Sequence, residues 1–279
     1  MTTIPAEAEQ IAAGKRRTHA WVMRLLALGL LLGVVAGTLV SLNLQARRAR
    51  NETLFAPHFG ERGLVTNEFA YYNPHSSAAR TSPDWEVTSG SLFARDHAGW
   101  SGIPDRRLPD ATSSNATDSA VFRLVSRRAF GSVRVYLAWR LLDLVTTPST
   151  PANDWDGLHV WLHYVSPQTL YYVSIARRDG TIIIGKKLPG GSVDGGHYVR
   201  LIAPRHRQVR LGRWYRSQLT IASDSHGTVT IRLLENGRLL ARAVDRPGSG
   251  GATISRPGRI GIRGDNANFE FTDLSVHPA

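Results

Sequence analysis

The chain has 279 residues, 42% of them hydrophobic, with a formal net charge of +12 and no cysteine. That excludes a disulfide-stapled scaffold and a cysteine nucleophile, and it leaves ample apolar material for a core. The basic balance favours acidic partners: anionic wall polymers, acidic polysaccharide or lipid headgroups.

The first feature along the chain is an uncharged apolar run from Leu25 to Leu42, LLALGLLLGVVAGTLVSL. At about 1.5 Å rise per residue such a run covers a hydrocarbon core of roughly 30 Å. The sequence therefore divides into a cytoplasmic basic tail (1–24), a transmembrane signal-anchor helix (25–44), a juxtamembrane linker (45–59) and one domain (60–279). The competing reading is a cleaved secretory signal, because Lys15, Arg16, Arg17 and Arg24 precede the run; no clear Ala-x-Ala site follows it. Basic residues flank both sides almost equally, with Arg47, Arg48 and Arg50 beyond the run. Long domains translocate largely regardless of charge, so the sequence predicts a single-pass membrane protein with its C-terminal domain extracytoplasmic. Setting aside the tail's +2 and the three juxtamembrane arginines leaves +7 on the rest of the chain. Its predicted location makes nucleic acid an unexpected partner.

Beyond the anchor, short runs of alternating Val, Ile, Leu, Trp and Tyr are separated by Gly, Pro, Asn and Asp clusters. Predicted strands are Leu64–Tyr71, Trp85–Val87, Ser91–Ala94, Ala120–Val125, Ser132–Leu142, Gly157–Val165 and Leu170–Arg177, then Thr181–Lys186, Tyr198–Leu201, Trp214–Ala222, Thr228–Glu235, Arg238–Val244, Gly258–Arg263 and Asn268–Val276. Strands of this number and spacing point to a sandwich or barrel. Segments 104–118 and 146–153, rich in Pro, Ser, Thr and Asn, read as surface loops.

Several segments together resemble the concanavalin-A-like lectin/glucanase superfamily in its laminin-G-like and sugar-hydrolase-associated branches. They are Trp85-Glu-Val-Thr-Ser-Gly-Ser-Leu-Phe, Asp156-Gly-Leu-His-Val-Trp-Leu-His-Tyr, Tyr171-Tyr-Val-Ser-Ile-Ala-Arg-Arg-Asp-Gly, Trp214-Tyr-Arg-Ser-Gln-Leu and the closing run from Pro257 to Val276. The resemblance implies an all-β fold, a two-sheet antiparallel jelly-roll sandwich, with Asn67–Tyr71 pairing near Phe269–Val276. It implies fold more firmly than activity, since the superfamily holds lectins, glycosidases, lyases and adhesion modules.

Alternation along the strands yields a candidate binding face. Leu158, Val160, Leu162 and Tyr164 fall on one side of their strand, and His159, Trp161 and His163 on the other. Likewise Arg134, Tyr136 and Arg140 oppose Val133, Val135, Leu137 and Trp139, and Tyr172 opposes Tyr171 and Val173. If these strands are neighbours, one face gathers Arg134, Tyr136, Arg140, His159, Trp161, His163 and Tyr172. Aromatic rings stack on the apolar faces of sugars and Arg pairs with carboxylate or phosphate, so this face is the candidate site for a glycan, an anionic polysaccharide above all. The alternative is that Trp161 and Tyr172 pack beneath a loop.

Catalytic signatures are sparse. The Glu-x-Asp-x-x-Glu strand motif of retaining enzymes on this fold is missing, and the acidic pairs Glu270/Asp273 and Asp154/Asp156 read as structural. His159, His163, Tyr136 and Arg134 are the residue types a polysaccharide lyase uses, without a lyase family's motifs. On a strand His159 and His163 stand about 13 Å apart and cannot share one zinc ion. No cofactor is called for; a structural calcium is the one ion the resemblance brings into view, with Asp154 and Asp156 as candidate ligands beside Asn153, Asp265 and Asn266. The run Gly248-Ser-Gly-Gly251 reads as a flexible loop rather than a phosphate loop.

Overall fold

The computed structural model describes residues 52–68, 79–102, 121–146, 150–193 and 195–279. The predicted tail, the predicted anchor segment 25–44 and residues 45–51 of the predicted linker lie outside the described residues. Among those described, no helix is long and apolar enough to cross a membrane. Residues Thr53–Ala279 form one compact unit.

Among the described residues that unit is all β, with sixteen strands in chain order: β1 Arg62–Thr66, β2 Trp85–Ser89, β3 Leu92–Arg95, β4 Ala98–Trp100, β5 Val121–Phe130, β6 Val133–Leu144, β7 Gly157–Ser166, β8 Thr169–Arg177, β9 Thr181–Val193, β10 Gly196–Arg200, β11 Arg205–His206, β12 Tyr215–Ser223, β13 Val229–Glu235, β14 Arg238–Asp245, β15 Gly258–Asp265 and β16 Ala267–Pro278. They form two antiparallel sheets. Sheet one runs β1-β3-β4-β16-β6-β12-β13-β14, and sheet two runs β10-β9-β8-β7-β15-β5-β2 with β11 added at β9. Pairing of β6 with β16 defines the two ends of the sandwich: Val133 meets Pro278 at one, Leu144 meets Ala267 at the other.

The core is what alternation demands. Val133, Val135, Leu137, Trp139 and Leu141 of β6 pack against Leu158, Val160 and Leu162 of β7 and Ile260 and Ile262 of β15. Trp139 stacks on Tyr215 at 4.9 Å and donates its indole N–H to Ser217 Oγ at 2.9 Å, so its polar edge is satisfied inside the core.

Closure differs from the expectation. Strand β16 lies between β4 and β6, and Val276 bridges to Phe55, ahead of the predicted domain start. Asn67 instead exchanges hydrogen bonds with Arg80, its N–H donating to the Arg80 carbonyl at 3.0 Å and its Oδ1 accepting from the Arg80 N–H at 2.7 Å. Residues 69–71 of that predicted pairing lie outside the described residues.

The flank between β9 and β14 is closed by a buried charge. Lys186 and Asp245 are fully buried, and the Lys186 ammonium donates to Asp245 Oδ1 at 2.9 Å and Oδ2 at 3.1 Å. It also donates to the carbonyls of Ser249 (3.1 Å), Gly251 (3.2 Å) and Ala252 (3.1 Å). The Tyr171 hydroxyl donates to Asp245 Oδ2 at 2.6 Å and accepts from the Ile254 N–H at 3.0 Å. Burial, then the hydrogen bond to Asp245, push the Tyr171 phenol well above its usual range, so it stays a donor. The Gly248–Gly251 run, expected to be a free loop, is thus drawn onto an internal cation.

Candidate functional site

The seven residues expected on one face divide between both sides of the sandwich. Arg134, Tyr136 and Arg140 belong to β6 in sheet one; His159, Trp161 and His163 belong to β7 and Tyr172 to β8, both in sheet two. The strands are consecutive in sequence, but the chain crosses from one sheet to the other between β6 and β7. About 10 Å of core separates the two sheets, so the two sets cannot share one ligand.

On sheet two a β-bulge alters the predicted faces. Trp161 pairs with Gly261 and Tyr164 with Arg259, so β7 carries one residue more than β15 between these points, and His163 takes up the difference with φ 45°. The bulge turns Tyr164 to the side of Trp161 and buries His163, whose ring nitrogens lie 2.8 Å from the Ile254 carbonyl and 3.0 Å from the Gly131 carbonyl. Trp161 and Tyr164 stack at 5.3 Å and form a small second cluster with Val125 and Leu170, against which Tyr172 packs.

Glycines make room for these rings: a Cβ at Gly261 would lie 2.8 Å from Trp161, and one at Gly185 would lie 2.3 Å from the Tyr172 hydroxyl. Trp161 is left only 4% exposed, which withholds its faces from a sugar. Burial, then Tyr198, push the Tyr172 phenol up to about 12. His159 is buried too, 2.8 Å from Ser174 Oγ and 3.3 Å from Asp265.

Asp265 is itself held by Arg263 at 2.7 Å. Burial pulls its carboxyl upward, but the Arg263 charge and the His159 hydrogen bond outweigh burial and hold it well below the usual carboxylate range. Asp179 behaves likewise: burial raises it, while hydrogen bonds from Arg177 and Thr181 lower it to about 2. Both folded values lie below the unfolded value of about 3.9. Their stabilisation is therefore complete above roughly pH 4 and is lost as pH falls through the folded values. Asp265→Asn should flatten the acid limb of a stability–pH curve measured by urea unfolding; an unchanged limb would contradict this assignment.

Sheet one presents a more open face. Phe93, Trp100, Glu270 and Arg140 are consecutive register partners across β3, β4, β16 and β6, and Trp214 follows beside Arg140. Glu270 is 1% exposed and pairs with both Arg95 and Arg140; Arg95 Nε donates to Glu270 Oε1 at 2.5 Å. Each guanidinium also lies against an indole, Arg95 at 4.2 Å from the Trp100 ring and Arg140 at 4.8 Å from that of Trp214. Trp100 donates its indole N–H to Asn268 Oδ1 at 2.8 Å, and Trp214 is 39% exposed. Further along the same face Tyr136 meets His277 edge-on at 5.5 Å, and Arg134 donates to the Pro278 carbonyl at 2.9 Å.

Sequence reasoning missed Trp100, Trp214 and the role of Glu270. Trp214 was accessible to it: in the predicted strand Trp214–Ala222, alternation sets Trp214 with Arg216, Gln218 and Thr220 on the polar side.

The acidic residues considered for chemistry or metal are engaged in ion pairs or exposed. Asp273 pairs with Arg216 at 3.0 Å. Asp156 Oδ2 accepts from Arg178 at 3.1 Å, the Asn153 N–H at 3.0 Å and Asn266 Nδ2 at 3.2 Å, a donor-rich setting unlike that of a metal ligand. Asp154 is exposed. Among the described residues no group of three or more His, Cys, Asp or Glu side chains could hold a metal ion.

No protein-family model matches the sequence, and a comparison with curated proteins finds no match. Solved structures do resemble the fold. LamAcat from Zobellia galactanivorans superposes with a TM-score of 0.50 at 12% identity, over 82% of this chain and 99% of that one. The carbohydrate binding module CBM66 from Bacillus subtilis gives 0.46 at 12% identity over 69% and 94%, and a protein of unknown function with a galectin-like fold from Bacillus subtilis gives 0.47 at 14% over 69% and 88%. At such identities the likeness concerns fold alone. The class that the fold defines is a two-sheet antiparallel β sandwich, the architecture expected from the sequence.

Proposed function

We propose that this protein is a membrane-anchored, extracytoplasmic carbohydrate-binding module for an anionic wall or capsular glycan, held by residues 25–44 and binding through the outer face of sheet one. The observation that carries this reading is the row across that face, in which buried Glu270 fixes two guanidinium groups, each against an indole. Indole faces held in this way suit stacking on sugar rings, and free guanidinium edges suit carboxylate, sulfate or phosphate substituents. From Trp100 to Trp214 is three strand spacings, about 14 Å, long enough to engage several sugars of one chain.

The test is retention of the purified full chain on neutral and acidic polysaccharides at low and high salt, with supernatants assayed for sugar products. Salt-sensitive retention on an acidic polymer without products is expected. Trp214→Ala should weaken it about tenfold or more, roughly 1.4 kcal/mol, with the melting temperature unchanged. New reducing ends or unsaturated uronates would make the protein an enzyme instead, and no retention on any polymer would leave a protein partner as the reading.

A further inference from the structure

The segment joining sheet two to sheet one, from Arg200 to Arg216, carries six arginines and no acidic residue. It is well rooted. Arg207 is largely buried, pairs with Glu235, donates to the Ile175 carbonyl at 2.7 Å and lies 4.6 Å from the Tyr215 ring. The Tyr215 hydroxyl accepts from the Arg210 N–H at 2.9 Å, and the Gly212 N–H donates to the Leu141 carbonyl at 2.7 Å. That last bond sets the loop beside β6, contiguous with Arg140 and Trp214.

On this rigid base Arg210 and Arg213 are exposed, as is Arg238 at the start of β14, whose hairpin touches β12 through the Asn236 N–H and the Arg216 carbonyl at 2.9 Å. No ion pair engages Arg210 or Arg238 among the described residues, and the carboxylate whose charge reaches Arg213, Glu235, is already taken by Arg207. Exposed Leu211 shares this end of the sandwich, opposite the end where Phe55 meets Val276.

We infer that Arg210, Arg213 and Arg238 form a preorganised anion-recognition site that takes the sulfate or carboxylate groups of an acidic polysaccharide lying along the Trp100–Trp214 row. The inference rests on the proposed glycan-binding reading and locates its preference for charge. Contiguity with Trp214 favours a polysaccharide over an anionic lipid surface as the occupant. Guanidinium forks pair bidentately with such oxyanions, and their neutralisation releases counterions, so affinity depends on salt in proportion to the contacts made.

The experiment compares the full chain with the Arg210→Gln/Arg213→Gln/Arg238→Gln variant for binding to heparin, polygalacturonate, dextran and phosphatidylglycerol vesicles over a range of salt. Arg207 is left in place so that the loop keeps its root. Expected is a loss of about tenfold or more on heparin or polygalacturonate, with the slope of log affinity against log salt reduced by about 2 to 3 and any dextran binding unchanged. If the variant keeps the affinity and slope of the wild type on acidic polymers, the site is wrong while glycan binding stands. If the wild type binds none of the polysaccharides, the glycan reading falls and this inference with it; binding to vesicles alone would assign the arginines to lipid and overturn it.

Discussion

Lys186→Met should destabilise the domain by about 3–5 kcal/mol, because it leaves Asp245 buried without its cation. The ammonium sits among two carboxylate oxygens and three loop carbonyls, all within 3.2 Å, so methionine matches the stem but none of the donors. At roughly 2–4 °C per kcal/mol for a domain of this size, the melting temperature should fall by about 10 °C. The loop that follows Asp245 should become protease-sensitive, since its carbonyls lose the partner that gathers them. Adding Asp245→Asn should recover part of the loss, as it removes the stranded charge while keeping an acceptor for Tyr171. A single variant within 1 kcal/mol of wild type in urea unfolding would show that the ammonium does not organise this flank.

Phe55→Ala should cost about 3–5 kcal/mol, the range for a buried phenylalanine removed from a packed core. The residue is 6% exposed, meets Trp85 edge-on at 5.4 Å and lies 5.8 Å from Phe130. Its neighbour Leu54 donates its N–H to the Val276 carbonyl at 2.8 Å, so residues 54–55 are stapled to the closing strand. A chain starting at residue 60 should show a similar loss relative to one starting at residue 53, both measured by urea unfolding. Equal stability of the two would mean that this strap is incidental.

The all-β character and most strands were legible in the sequence because period-two alternation is a local signal: β6, β7 and β12 were found within a few residues of their ends. Partnership between strands was not legible. Nothing in the residues between β6 and β7 says that the chain changes sheets there, so Arg140 and Trp161 were grouped although the core lies between them. The bulge at His163 was hidden for a related reason, since a left-handed histidine carries no composition signal as a glycine would. Lys186 reads in sequence as an ordinary strand-end lysine; its burial depends on Asp245, fifty-nine residues later. Trp214 did carry a signal through its phase with Arg216, Gln218 and Thr220, but its value came only with Arg140 and Glu270 beside it.

Hydroxyl-radical footprinting of the full chain with and without a retained acidic polysaccharide is the most direct measurement of where ligand lies. Glycan binding on sheet one predicts protection of Trp100 and Trp214, with Tyr172 and Tyr198 on sheet two unchanged. Protection of Tyr172 and Tyr198 with Trp100 and Trp214 unaffected would contradict it and move the site to the opposite face.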